Sequence, residues 1–223
     1  EPRVQGLQPA AASRRFPSYL APAMTQLPEL PLTLSRQEIR KMIRQRRRAL
    51  TPEQQQEMGQ QAATRMMTYP PVVMAHTVAV FLSFDGDLDT QPLIEQLWRA
   101  GKRVYLPVLH PFSAGNLLFL NYHPQSELVM NRLKIHEPKL DVRDVLPLSR
   151  LDVLITPLVA FDEYGQRLGM GGGFYDRTLQ NWQHYKTQPV GYAHDCQLVE
   201  KLPVEEWDIP LPAVVTPSKV WEW

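Results

Sequence analysis

The stretch DVLITPLVAFDEYGQRLGMGGGFYDR, residues 152–177, runs from an apolar β-prone segment through a glycine-rich loop into a helical pattern. Asp152–Pro157 reads as a buried strand, and Tyr175–Trp182 as a helix. Between them, Gly169, Gly171, Gly172 and Gly173 free the backbone to adopt positive φ and to approach a ligand closely. A strand, a glycine loop and a helix N-terminus point successive amides, and the positive end of the helix, into one concavity. That arrangement cradles phosphate. Asp176, just inside the helix, places a carboxylate where a magnesium ion bridging such phosphates would sit. Loops of this composition also serve as plain tight turns, and by glycine content alone that alternative stays open. A Walker motif is excluded, since no Gly-Lys-Ser/Thr follows, and the spacing departs from a Rossmann fingerprint.

Upstream of this stretch, short apolar segments alternate with helical ones. Thr77–Ser83, Arg103–Leu109 and Asn116–Tyr122 are predicted strands, joined after residue 177 by Gln188–Ala193 and Ala213–Thr216. Asp89-Thr90-Gln91-Pro92 opens a helix that runs through Trp98 and closes at Gly101. Strands separated by helices predict an α/β protein: a three-layer sandwich with a mostly parallel or mixed central sheet flanked by helices.

Two capping boxes open the ordered part of the chain. Ser35-Arg36-Gln37-Glu38 starts one helix, with Ile39, Met42, Ile43 and Leu50 as its apolar stripe. Thr51-Pro52-Glu53-Gln54, with proline at the first helical position, starts a second that runs towards Thr68 and is ended by Pro70 and Pro71. Seven of the 24 Lys and Arg residues fall between Arg36 and Arg48, opposed only by Glu38, and the remainder of the chain is net acidic. One basic element on an acidic body predicts a local anion site rather than a nucleic-acid surface. Arg36 and Arg40 stand one turn apart on one face, the spacing that a two-pronged phosphate clamp requires; a solvated charged face is the alternative. Lys41, Arg44 and Arg46–Arg48 read as solvated. Residues 1–33 carry six prolines without periodicity and read as a flexible tail, leaving 34–223 as one domain.

The 223 residues, 43% hydrophobic and 21% charged, match an ordinary globular protein and exclude a fibrous or wholly disordered one. No apolar run approaches the roughly 18–20 residues that span a bilayer. The single cysteine, Cys196, excludes an intramolecular disulfide framework and a multi-cysteine zinc site. A cytoplasmic protein, monomeric or weakly self-associating and without a membrane partner, is the expectation.

The segment RLGMGGGFYDR, residues 167–177, resembles the signature of the 5-formyltetrahydrofolate cyclo-ligases, also called methenyltetrahydrofolate synthetases, usually written RLGxGxGYYD. RQEIRKMIRQRRRAL, FLSFDGDLDT, ITPLVAFDEYGQRLG and LPVEEWDIPLPAVVT resemble further segments of that family in the same order, so the likeness covers Ser35 to Thr216. The resemblance implies ATP-dependent conversion of 5-formyltetrahydrofolate, with or without a polyglutamate tail, to 5,10-methenyltetrahydrofolate, ADP and phosphate, with Mg2+ as the metal. It implies no nucleophilic side chain, because the formyl oxygen is activated by phosphorylation and the 10-nitrogen then closes the ring.

Carried over residue by residue, ATP is implied to lie on Arg36, Arg40 and the run Arg167, Leu168, Gly169, Met170, Gly171, Gly172, Gly173, Phe174 and Tyr175. The folate is implied to lie against Leu82, Asp87 and Met170–Phe174, with Leu133 as a weaker candidate and Asp87 facing the aminopyrimidine edge. Asp176 and Asp208 match the family's magnesium carboxylates. Four departures stand out: Met170 and Gly172 replace a common Arg and Lys, Asp87 replaces a common glutamate, and the aspartate often found near Pro212 is absent. They leave room for another ATP- or sugar-phosphate-binding enzyme on the same scaffold.

Overall fold

A computed structural model describes residues 34–223; the predicted tail, residues 1–33, lies outside the described residues. The described residues open with α1 (Arg36–Arg48), α2 (Pro52–Thr68) and a one-turn α3 (Pro70–Met74), followed by β1 (Thr77–Ala79), α4 (Gln91–Arg99), β2 (Arg103–Leu109) and β3 (Leu117–Tyr122). A hairpin of β4 (Leu128–Met130) and β5 (His136–Pro138) precedes β6 (Val145–Leu146), β7 (Val153–Thr156), β8 (Ala160–Asp162) and β9 (Arg167–Leu168). Then come α5 (Phe174–Leu179), β10 (Gln188–Tyr192), β11 (Leu198–Val199), β12 (Ala213–Val215) and β13 (Val220–Glu222).

Eight strands form one sheet in the order β13-β12-β10-β7-β1-β2-β3-β6. The pairs from β12 to β2 are parallel, and the pairs at both edges are antiparallel, so the sheet is mixed as expected. Period-two alternation assigns its two faces. Val78, Val104, Val153, Ile155, Val190, Ala213 and Val215 pack with Ala62, Met66, Leu93 and Leu97 of α2 and α4. Ala79, Tyr105, Leu154 and Val214 point the other way, onto Phe161, Leu179, Leu198 and Trp221. Helices therefore cover one face. The other is covered by α5 and a small sheet, β11-β8-β9, on which α1 packs through Ile39 and Ile43.

Both capping boxes close: Ser35 Oγ accepts from Glu38 N, and Thr51 Oγ1 accepts from Gln54 N. A cap of this kind contributes about 1 kcal/mol and sets each start without tertiary help. Pro70 and Pro71 end α2 as predicted but also open α3, since proline suits the first helical position. The strand predicted over 77–83 leaves the ladder at Ala79. Val80 N still donates to Tyr105 O at 2.9 Å, after which Phe81 O accepts from Thr90 Oγ1 instead of a neighbouring strand. That departure brings Phe81, Leu82, Phe84 and Asp87 to the wall of a cavity.

Candidate active site

The cavity, of about 510 Å³, is the size of a small-molecule site and opens beyond β1, β2 and β7. Gly169–Asp176, Arg167, Arg36 and Arg40 line it together with Leu82 and Asp87. The structure thus brings together most of the residues singled out from sequence, drawn from α1, the loop after β1 and the β9–α5 loop. Gly171 has φ +109° and Gly173, which caps α5, has φ +71°. Both lie in the region that a side chain strains, so glycine is required there.

Arg40 is the most telling side chain. It is 6% exposed and its Nε donates to Gly169 O at 2.7 Å, while its two terminal nitrogens have no hydrogen-bond or ion-pair partner among the described residues. Those terminal atoms lie close to Gly171. Burial, then repulsion from Arg36 and Arg44, lowers its pKa, so its charge is incompletely compensated by the protein. A buried cation against an open glycine loop has the chemistry to receive an anion.

Arg167 is also buried, donating from Nε to Pro157 O at 2.8 Å, with Nη1 3.8 Å from Asp176 Oδ1 and its guanidinium over the Tyr175 ring. Burial pulls the Arg167 pKa down and pushes Tyr175 up. Asp176 also accepts from Ile209 N at 3.2 Å.

Two predicted positions are placed differently. Leu168 does not line the cavity: as the next residue of β9 it faces away from Arg167, into the core with Ile39, Ile43 and Val199. Asp208 is not among the cavity-lining residues either. Its carboxylate is held by Arg36 in a bidentate pair of 2.7 and 3.1 Å and accepts from Glu205 N, with 3% of the side chain exposed. Arg36, expected as a phosphate prong, is accordingly committed to Asp208.

Arg47, read from sequence as solvated, is 2% exposed. It donates to Asp87 Oδ1 at 2.9 Å and to Asp85 O at 2.7 Å, and Arg44 and Arg48 also pair with Asp85. The face of α1 that looked like an exposed polybasic patch therefore clamps the loop after β1. The cavity also gains residues without a sequence signal, chiefly Phe84, Asn131, Glu137 and Trp207; Leu133 lines it too. A smaller groove of about 390 Å³ shares Leu82, Phe84, Ile135 and His136 with it and carries Lys134.

Asp87 and a buried neighbour, His194, have opposed protonation behaviour. Burial pushes Asp87 up to about 6 against the pull of Arg47. Burial also takes His194 down to about 4; its ring lies near the backbone of Gly86 and Asp87 without closing a hydrogen bond of normal geometry. Between about pH 4 and 6 the unfolded chain binds a proton that folded His194 refuses, so acidification from 6.5 costs stability. Over much of the same range folded Asp87 keeps a proton that the unfolded chain releases, so acidification restores stability. Asp87→Asn removes the second contribution alone. The pH dependence of unfolding free energy, from denaturant titrations between pH 4 and 6, is expected to steepen by up to about 1.4 kcal/mol per pH unit. An unchanged slope would sink this account of the pair.

Among the described residues no helix is long and apolar enough to cross a membrane, and no cluster of three or more His, Cys, Asp or Glu side chains is arranged to hold a metal.

The chain resembles known proteins over nearly all of the described region. The family model for the 5-formyltetrahydrofolate cyclo-ligase family matches residues 33–217. A 5-formyltetrahydrofolate cyclo-ligase of Haemophilus influenzae is 52% identical, covering 80% of this chain and 96% of its own. Its counterpart in Mycolicibacterium smegmatis is 30% identical, over 83% and 95%. The solved structure of an Aquifex aeolicus 5,10-methenyltetrahydrofolate synthetase superposes with a TM-score of 0.73 at 28% identity, covering 85% of this chain and 93% of that one. Fold, cavity and sequence agree, and the chain belongs to the 5-formyltetrahydrofolate cyclo-ligase family.

Proposed function

We propose that residues 34–223 form one domain that cyclises 5-formyltetrahydrofolate to 5,10-methenyltetrahydrofolate at the expense of ATP. The observation that carries this reading is Arg40, a buried guanidinium with free terminal nitrogens beside the Gly169–Gly173 loop, in a cavity that combines apolar walls with a few charged side chains. Nucleotide phosphates fit the loop and Arg40. The reduced pterin fits the apolar wall that includes Leu82 and Phe174, and a polyglutamate tail would extend along the groove beside Lys134.

In this reaction the formyl oxygen attacks the terminal phosphorus, ADP departs, and the formyl carbon becomes an electrophile. The 10-nitrogen attacks that carbon and loses its proton, and the C–O bond breaks to release phosphate. The chain supplies position and charge: loop amides and Arg40 hold the phosphoryl oxygens, and Arg167 orients Asp176 and Tyr175. No side-chain nucleophile is required.

Magnesium fits the donor set as a shared ion rather than a caged one. Asp176 presents one hard carboxylate to the cavity, and Mg2+ is ordinarily completed by phosphate oxygens and waters. When bound, the ion would neutralise phosphate charge; Asp176 would hold it, since Asp208 is engaged by Arg36. The test is the methenyl absorbance that develops when the protein is mixed with 5-formyltetrahydrofolate and Mg-ATP. No absorbance change under any nucleotide would overturn the proposal.

The two loop departures give a graded prediction. Met170 is half-exposed at the cavity, so Met170→Arg adds a cation without displacing a neighbour and is expected to tighten ATP three- to tenfold by calorimetry, a gain of about 1 kcal/mol. A Cβ on Gly172 would stand 2.7 Å from the Phe174 ring, so Gly172→Lys must first move that ring and should gain less. Unchanged ATP affinity in Met170→Arg would argue against phosphates at this loop.

A further inference from the structure

Three carboxylates line the cavity, and they differ in what balances them. Asp87 is paired with Arg47 and also accepts from Phe84 N, so both its oxygens are engaged. Asp176 stands 3.8 Å from Arg167. Glu137, on β5, has no cationic partner among the described residues.

Glu137 is nevertheless held in a fixed orientation. Its Oε2 accepts from Leu109 N at 3.1 Å and from Asn131 Nδ2 at 3.0 Å. Asn131 is itself set by its Oδ1, which accepts from Leu133 N and Ile135 N at 2.8 and 3.2 Å, so its amide nitrogen is left to face Glu137. One carboxylate oxygen is thus saturated by protein donors and the other, Oε1, has none. The cavity it lines also carries apolar side chains, Leu82, Leu106, Leu117 and Ile135 among them. A carboxylate turned into an apolar cavity without a counter-charge demands hydrogen-bond donors from the ligand.

We infer that Glu137 anchors the pterin by its 2-amino-4-oxopyrimidine edge, the role that the family resemblance implied for Asp87. That edge presents two adjacent donors, the ring N3–H and the exocyclic amino group, and Oε1 has two open acceptor positions. The charged acceptor strengthens both bonds, and the apolar surroundings raise the penalty for any ligand that leaves Oε1 bare. The inference rests on the proposed folate reaction for the identity of the ligand, but not for the anchor itself.

Glu137→Gln tests it with little structural disturbance. The amide oxygen still serves Leu109 and Asn131, while the amide nitrogen puts a donor where the pterin presents donors. The KM for 5-formyltetrahydrofolate is expected to rise 30- to 100-fold, with the KM for ATP and the melting temperature essentially unmoved. Asp87→Asn should raise the folate KM by less, because its oxygens are already committed. A 2-desamino analogue of 5-formyltetrahydrofolate keeps only the N3–H donor, so by calorimetry its loss of affinity from wild type to Glu137→Gln should be clearly smaller than the loss for 5-formyltetrahydrofolate itself. An unaltered folate KM in Glu137→Gln, or a larger loss in Asp87→Asn, would overturn the inference. If wild type formed no methenyl product, the proposed reaction would fall, while calorimetric binding of 5-formyltetrahydrofolate to wild type and Glu137→Gln would still decide the anchor.

Discussion

Asp176→Asn is expected to lower kcat/KM at least about 100-fold, on the scale of several kcal/mol that a metal-held phosphate contributes to the transition state. Asparagine preserves the acceptor for Ile209 N and nearly the same volume, so the loop and the start of α5 keep their geometry. What disappears is one negative charge at the cavity wall. Two consequences separate a metal role from a structural one. The Mg2+ concentration for half-maximal rate should rise at least tenfold, because a neutral amide is a poor ligand for a hard cation. Stability should fall only modestly: Arg167 loses a counter-charge at 3.8 Å, yet keeps its bond to Pro157 O and its place over Tyr175. Asp208→Asn makes the contrast, since that carboxylate is bound to Arg36. Its effect should come through a released Arg36, with little change in Mg2+ requirement. Wild-type turnover in Asp176→Asn at low Mg2+ would remove Asp176 from the reaction.

What was legible in the sequence follows the range over which each feature is encoded. The starts of α1 and α2 are written locally, in boxes where a side chain meets a backbone amide three residues on, and both closed where expected. The strand predicted over 103–109 matches β2 residue for residue. The glycine loop announced itself because Gly171 and Gly173 take positive φ that a side chain would strain. Features decided by distant partners were illegible. Lys41, Arg44 and Arg46–Arg48 look solvated in the sequence, until Asp85 and Asp87, some 40 residues on, fold against Arg47. The β4–β5 hairpin has three residues per strand, too few to display a period, and with it Glu137 went unseen. Leu168 belongs to the same signature as Arg167, but in a strand adjacent side chains face opposite ways, so one lines the cavity and the other the core.

Arg40 supplies the second large effect, and here the sign of the stability change carries the argument. Arg40→Met keeps most of the apolar stem along α1 and deletes the charge and the bond to Gly169 O. A buried cation that served the fold would be sorely missed. Removing one partner of a satisfied buried pair costs about 3–5 kcal/mol. Arg40 has no such partner: its terminal nitrogens are free, and Arg36 and Arg44 repel it. Deleting the charge relieves that repulsion and the desolvation burden, which offsets the one lost hydrogen bond. The melting temperature without ligands is therefore expected to hold or to rise by a few degrees. Function should move the opposite way. Truncating one side of a buried charge pair with the phosphate costs about 2–5 kcal/mol, which raises the KM for ATP at least 30-fold. The KM for 5-formyltetrahydrofolate should change far less. The protection that Mg-ATP gives against thermal unfolding should shrink in step with the weaker affinity. A variant that melts well below wild type yet binds ATP normally would make Arg40 a structural residue and leave the glycine loop without its cation.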